Sequence, residues 1–108
     1  MKLAIIVPCY NEEEVLDVSS NRLLESLIDL IRKNKISDDS KIYFIDDGSE
    51  DQTWSLIEEL CGSNRHFSGI SLSRNRGHQN SLLAGLLTAQ GDALVSIDAD
   101  LQDDIHII

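Results

Sequence analysis

A chain of 108 residues has room for one domain, and with 42% hydrophobic but only 5% aromatic residues its core must be built mainly from aliphatic side chains. Nineteen acids against nine bases leave a formal charge of -10. That balance argues against nucleic acid and anionic membrane as direct partners, because both repel a net anion.

In chain order, Leu3 to Val7 is continuously apolar, as expected of a strand covered on both faces. It runs into Pro8 and a polar loop with no small-residue cleavage site, so it reads as a first strand rather than a signal peptide. Asn11 is placed to cap a following helix, with Glu14 three residues on completing a capping box. Glu12, Glu13 and Glu14 would then suit the positive end of that helix's dipole. Leu24, Leu27, Ile28 and Ile31 recur at the spacing of one helical face. Ile42 to Ile45 is a second apolar strand. A second helix is expected to start near Ser49 or Asp51 and to turn Trp54, Ile57, Leu60 and Cys61 inward. Ser68 to Ser73 alternates apolar and polar residues, which predicts a half-exposed strand near a sheet edge. A third helix is expected from about His78 to Gln90, with Leu82, Leu83 and Leu86 inward and Gly91 as its stop. Leu94 to Ile97, broken only by Ser96, completes the strands and, like Leu3 to Val7 and Ile42 to Ile45, is expected to be covered on both faces. Cys9 and Cys61 lie far apart in apolar neighbourhoods and are expected to be buried free thiols. No run of about 18 apolar residues is present to span a bilayer.

The order βαβαβαβ implies right-handed crossovers and an α/β fold, a Rossmann-like, doubly wound, mainly parallel sheet. Ligands of such sheets bind beyond the carboxyl ends of the strands. Each strand here runs into residues that a packed core does not need. They are Pro8-Cys9-Tyr10-Asn11-Glu12, Asp46-Asp47-Gly48-Ser49, Ser73-Arg74-Asn75-Arg76-Gly77-His78 and Asp98-Ala99-Asp100-Leu101-Gln102-Asp103-Asp104. In a parallel sheet all four converge on one rim.

Asp98 and Asp100, leaving a strand at i and i+2, can aim two carboxylates at one point once the backbone turns. Two carboxylates are too few for a complete metal cage. They suit Mg²⁺ or Mn²⁺ that takes its remaining oxygens from water and a diphosphate, so a phosphorylated ligand is compatible with the acidic chain if a cation bridges the two. An isolated pair of this kind is more often a solvated acidic loop; its place at the end of a buried strand favours the metal. Asp46 and Asp47 stand where the acid of a dinucleotide-binding fold meets a ribose, and either could instead cap the helix that follows. Arg74 and Arg76 offer cationic donors for phosphate oxygens, although surface arginines and a lone His78 are common without any ligand. The first loop carries no G-x-G-x-x-G, and G-x-x-x-x-G-K-[ST] is absent from the chain, which disfavours nicotinamide dehydrogenases and P-loop NTPases.

Taken together, Ile6-Val7-Pro8-Cys9-Tyr10-Asn11-Glu12-Glu13, Ile45-Asp46-Asp47-Gly48-Ser49 with Asp51 and Thr53, and Asp98-Ala99-Asp100 resemble the motifs of inverting family-two glycosyltransferases of the GT-A fold. The stretches Leu72 to Gln79 and Asp98 to Asp103 are similar to the polyprenyl-phosphate branch, which includes dolichol-phosphate mannosyltransferases and bactoprenol glucosyltransferases. The resemblance covers essentially the whole chain. It implies that Pro8, Tyr10 and Glu12 border the nucleobase, with Asn11 among the nucleotide-sugar-binding residues, and that Asp46 and Asp47 lie near base and ribose. It also implies that Asp98, Asp100 and Gln102 hold the metal and diphosphate and that Arg74 lies near the phosphates or sugar. The chain departs from the pattern at Asp104-Ile105, where many relatives carry two prolines.

The activity implied is transfer of a sugar from a nucleotide donor, UDP-linked by preference and GDP-linked as a possibility, to a lipid phosphate with inversion. A phosphate acceptor is already ionised near neutral pH, so no general base is assigned. Other acceptors, such as a polysaccharide hydroxyl, remain open, as does a non-catalytic nucleotide-binding remnant. A nucleotidyltransferase would want a glycine-rich basic loop after the first strand, and a receiver domain would want its acid pair there; Pro8 to Glu12 provides neither. Because catalytic domains of this family continue with acceptor-side elements and often membrane helices, the 108 residues are expected to be a truncated nucleotide-sugar-binding portion, inactive alone. The parent would be membrane-associated through those further segments, with its catalytic domain on the cytoplasmic face.

Overall fold

The computed structural model describes residues 1–72 and 91–97. The elements there are β1 (Leu3–Cys9), α1 (Leu16–Arg32), β2 (Lys41–Asp46), α2 (Thr53–Ser63), β3 (Phe67–Ser71) and β4 (Ala93–Ser96). The helix expected between His78 and Gln90 lies outside the described residues.

The four strands form one sheet in the order β3-β2-β1-β4, with every pairing parallel. β1 is thus central, as its unbroken apolar run requires: all seven of its residues are buried. The register sets Cys9 beside Asp46 and Ile6 beside Ser96. Alternation along β1 divides the core. Leu3, Ile5, Val7 and Cys9 pack with Leu16, Leu23 and Leu27 of α1, Ile57 of α2 and Phe44 and Phe67 of the sheet. Ala4 and Ile6 join Tyr43 and Ile45 on the opposite face. Phe44 and Phe67 meet at a ring-centroid distance of 5.5 Å with a 46° tilt, within the favourable range for aromatic pairs.

α2 lies tightly against the sheet because β3 carries Gly69 at the crossing. A Cβ there would stand 2.6 Å from Ile57 Cγ2, so only a residue without one lets the helix approach this closely. At the other helix, Asn34 takes a left-handed φ of 59° and closes α1. Its N–H donates to the Ile31 carbonyl at 3.0 Å and that of Lys35 to the Leu30 carbonyl at 3.0 Å, the two bonds of a Schellman motif.

Several expectations are corrected. α1 begins at Leu16, not at Asn11, and no side chain caps it, so the Asn11–Glu14 capping box does not form. Asn11 instead has a left-handed φ of 51° and is bonded to the loop after β2, a long-range pairing that outcompetes the local cap. The acids of residues 12–14 therefore precede the helix, whose first turn carries Asp17. The buried stripe of α1 is Leu16, Ser19, Ser20, Leu23 and Leu27, rotated from the predicted face, with Leu24 and Ile31 flanking it. β4 is not covered on both faces: Ala93, Val95 and Ile97 pack on the core, whereas Leu94 is 42% exposed. A four-residue apolar run does not by itself distinguish one covered face from two.

Candidate functional site

Parallel pairing throughout sends the carboxyl ends of all four strands to the same side of the sheet. From β1 to β3 the chain adds strands in one direction, and β4 then appears on the other side of β1. That reversal creates a switch point, and in open α/β sheets the ligand crevice lies beyond the strand ends there. β1 delivers Tyr10, Asn11 and Glu12 to this crevice. On its other flank Ile97 extends the ladder, its N–H donating to the Ile6 carbonyl at 2.9 Å, and Asp98 follows in sequence.

The loops after β1 and β2 are locked together. The Asp47 N–H donates to the Cys9 carbonyl at 2.9 Å. The Asn11 N–H donates to Ser49 Oγ at 2.9 Å, and Asn11 Oδ1 accepts the Glu50 N–H at 2.9 Å in return. One residue on, the Glu12 N–H donates to Thr53 Oγ1 at 2.8 Å. The Glu13 N–H reaches Asp51 Oδ2 at 3.3 Å, while the Glu13 carboxylate accepts the Gln52 N–H at 3.1 Å. Gly48, at φ 74°, supplies the left-handed turn that brings Ser49 back over Asp46.

Two acids anchor this lattice. Asp46 is 2% exposed; its carboxylate accepts the Ser49 hydroxyl and, at 3.4 Å, the Ser49 N–H. Asp51 Oδ1 accepts both the Thr53 hydroxyl at 2.5 Å and the Thr53 N–H at 2.9 Å, so it satisfies the start of α2. Neither Asp46 nor Asp47 caps α2: its N-cap is Gln52, without a side-chain cap bond, and Asp51 just before it accepts the N–H of the first helical residue, Thr53. Partial burial opposes ionisation of Asp51, but the Thr53 hydroxyl and the N–H groups of Thr53 and Glu13 outweigh it. They hold the carboxyl below the usual carboxylate range.

The expected site residues divide clearly. Tyr10 is 40% exposed at the rim, with the buried Asp46 and Asp47 ending the adjacent strand. Asn11 and Glu12 are held by their backbones, and Pro8 is buried in the ladder opposite Ile45. Arg74, Asp98, Asp100 and Gln102 lie outside the described residues. Among the described residues no group of three or more His, Cys, Asp or Glu is placed to hold a metal. A shallow cleft of about 260 Å³ is lined by Asn11 to Val15 and Asp51. Its carboxylates make that flank unsuited to an anion. Cys9 and Cys61 are both free. Burial, reinforced by the charges of Glu12 and Asp46, pushes the Cys9 thiol far up, which makes it an inert packing residue rather than a nucleophile. Cys61 is only half-buried.

Ser49 and Thr53 are the site residues whose roles went unread. Their signal is an acid followed closely by a hydroxyl, Asp46 with Ser49 and Asp51 with Thr53, the spacing of side chains that bond their own turn.

The chain belongs to glycosyl transferase family 2, whose family model matches residues 4–106. Among its relatives, the uncharacterized glycosyltransferase YkoT of Bacillus subtilis is 52% identical over 98% of the chain. The prophage bactoprenol glucosyl transferase homolog of Escherichia coli is 39% identical over 100% of it. The chain spans 32% and 33% of those two proteins, about a third of their length. Among solved structures, Staphylococcus aureus TarS 1-349 in complex with UDP-GlcNAc aligns with a TM-score of 0.70 and 27% identity. That alignment covers 93% of this chain and 27% of TarS 1-349.

Proposed function

We propose that this chain is the nucleotide-sugar-binding portion of a glycosyltransferase that moves a hexose from a UDP-linked donor to a polyprenyl phosphate with inversion. The observation that carries the donor half is the loop pair at the carboxyl ends of β1 and β2, where an exposed Tyr10 stands at the rim beside two buried aspartates. The Asp46 carboxylate is held by Ser49, so the support for a donor site is the position of these acids at the strand ends beside the exposed Tyr10, not their burial. The solved complex of TarS with UDP-GlcNAc supports uridine over guanosine. Similarity to bactoprenol glucosyl transferases supports the lipid acceptor.

In this reading Tyr10 offers its ring to the base, while the Asp46 and Asp47 carboxylates accept hydrogen bonds from base N–H or ribose hydroxyl groups. Asp98, Asp100 and Gln102 would supply only oxygen donors, a chemistry that suits a hard divalent cation. When bound, Mg²⁺ or Mn²⁺ supplies Lewis-acid stabilisation of the charge on the departing diphosphate. Arg74 would add a cationic donor for the phosphates, as the family resemblance implies. The sugar centre acquires oxocarbenium character as the donor bond breaks, and the acceptor phosphate, ionised near neutral pH, attacks without a base from this chain. A lipid acceptor brings the site to a membrane, with the catalytic part on the cytoplasmic face. Among the described residues no helix is long and apolar enough to cross a bilayer.

Calorimetry on the full-length protein tests the donor half. UDP should bind more tightly than GDP, and more tightly with Mn²⁺ or Mg²⁺ than with chelator, since anionic ligand and anionic rim repel without a cation. Asp100→Ala should remove the metal dependence. Equal UDP affinity with and without chelator would count against the metal role, and a preference for GDP against the uridine assignment.

A further inference from the structure

The two hydroxyls at the loop junction have their polarity fixed. A hydroxyl has one hydrogen to give and lone pairs to accept with. Ser49 gives its hydrogen to Asp46 Oδ1, and Thr53 gives its hydrogen to Asp51 Oδ1. Each oxygen is thereby left to act only as an acceptor toward the loop after β1: Ser49 Oγ for the Asn11 N–H and Thr53 Oγ1 for the Glu12 N–H. The two contacts are consecutive along the backbone that carries Tyr10. They hold Asn11 in the left-handed region, which asparagine tolerates better than most residues but does not favour unaided. Thr53 is fully buried, so its hydroxyl reaches the site only through Glu12.

We propose that Ser49 and Thr53 are positioning residues that set nucleotide affinity by fixing the Tyr10–Glu12 loop through its N–H groups. The assignment rests on the nucleotide-binding reading above, but its mechanism is separate: each hydroxyl acts through the backbone N–H it accepts from, Asn11 for Ser49 and Glu12 for Thr53. The pairing also explains why each hydroxyl follows an acid. Without Asp46 or Asp51 the hydroxyl could rotate and present its hydrogen to the N–H it must accept from.

The test uses the full-length protein with Thr53→Val, Thr53→Ser and Ser49→Ala, measuring UDP affinity by calorimetry and amide exchange at Asn11 and Glu12. Thr53→Val keeps the volume and deletes the acceptor. It should speed exchange at Glu12 and weaken UDP about tenfold, and Thr53→Ser should restore both to within about twofold. Ser49→Ala, at a less buried position, should do the same through Asn11; it carries the comparison alone should Thr53→Val fail to fold. Faster exchange with unchanged UDP affinity would overturn the proposal. So would a Thr53→Ser protein as weak as Thr53→Val, which would assign the effect to the methyl group. A wild-type protein that binds no UDP would sink the nucleotide reading and the affinity role together. Exchange at Asn11 and Glu12 that ignores the substitutions would sink the clamp alone.

Discussion

Asp51 gives the loop lattice its most accessible test. Asp51→Ala removes in one step the acceptor of the Thr53 N–H, the Thr53 hydroxyl and the Glu13 N–H. The first bond satisfies the N–H of the first residue of α2, and losing a hydrogen bond of this kind costs about 1 kcal/mol. The second leaves the buried Thr53 hydroxyl without its acceptor, adding up to about 1 kcal/mol. The third frees an exposed N–H that water can satisfy, so it adds little. The expected loss is about 1–2 kcal/mol, and Asp51→Asn, which keeps one acceptor oxygen, should lose about half of that. The sign with pH follows from the lowered folded pKa. The contribution is present above the unfolded value of about 3.9 and is lost as pH falls through the lower folded value. Urea unfolding of wild type and Asp51→Asn at about pH 7 and about pH 3 should therefore show a gap that narrows in acid. Unchanged stability of Asp51→Ala near neutrality, or a gap that stays constant into acid, would refute this account of the carboxylate.

Gly69→Ala should destabilise by about 1–3 kcal/mol, because the added methyl meets Ile57 Cγ2 at 2.6 Å and α2 must shift; an unchanged urea midpoint would contradict that packing. Cys9 should resist alkylation in the native protein near pH 8, while Cys61, half-buried and raised by burial with Lys41 partly offsetting it, reacts first. The raised Cys9 thiol also predicts stability that is intact below its unfolded value of about 8.5 and declines at higher pH, an alkaline loss that Cys9→Ala should lack.

The fold was legible where one kind of force dominated. Leu3 to Val7 and Ile42 to Ile45 read as adjacent buried strands because burial on both faces leaves no polar position in either run. The helix of Trp54, Ile57 and Leu60 read correctly because its apolar residues recur at the spacing of one helical face. The start of α1 did not. Asn11 with Glu14 is a sound local capping signal, but the N–H groups of residues 11–13 are satisfied by Ser49, Thr53 and Asp51, about forty residues away in sequence. Local pattern carries no record of that competition. Leu94 misled for a different reason: a short strand of aliphatic residues looks alike whether one face or two are covered. In the site, the acids at strand ends were evident because a core has no use for them. The hydroxyls that connect those acids to the neighbouring loop were hidden, since Ser49 and Thr53 resemble ordinary turn residues until the two loops are seen side by side.

The central claim is sugar transfer from a uridine donor to a lipid phosphate, and one assay addresses it directly. The full-length protein is incubated with radiolabelled UDP-glucose, Mg²⁺ or Mn²⁺ and a short-chain polyprenyl phosphate, and the label is partitioned into organic solvent. The account predicts organic-extractable label that requires both the lipid phosphate and the cation. Label that passes only to soluble sugars or to protein, with none extracted, would contradict it.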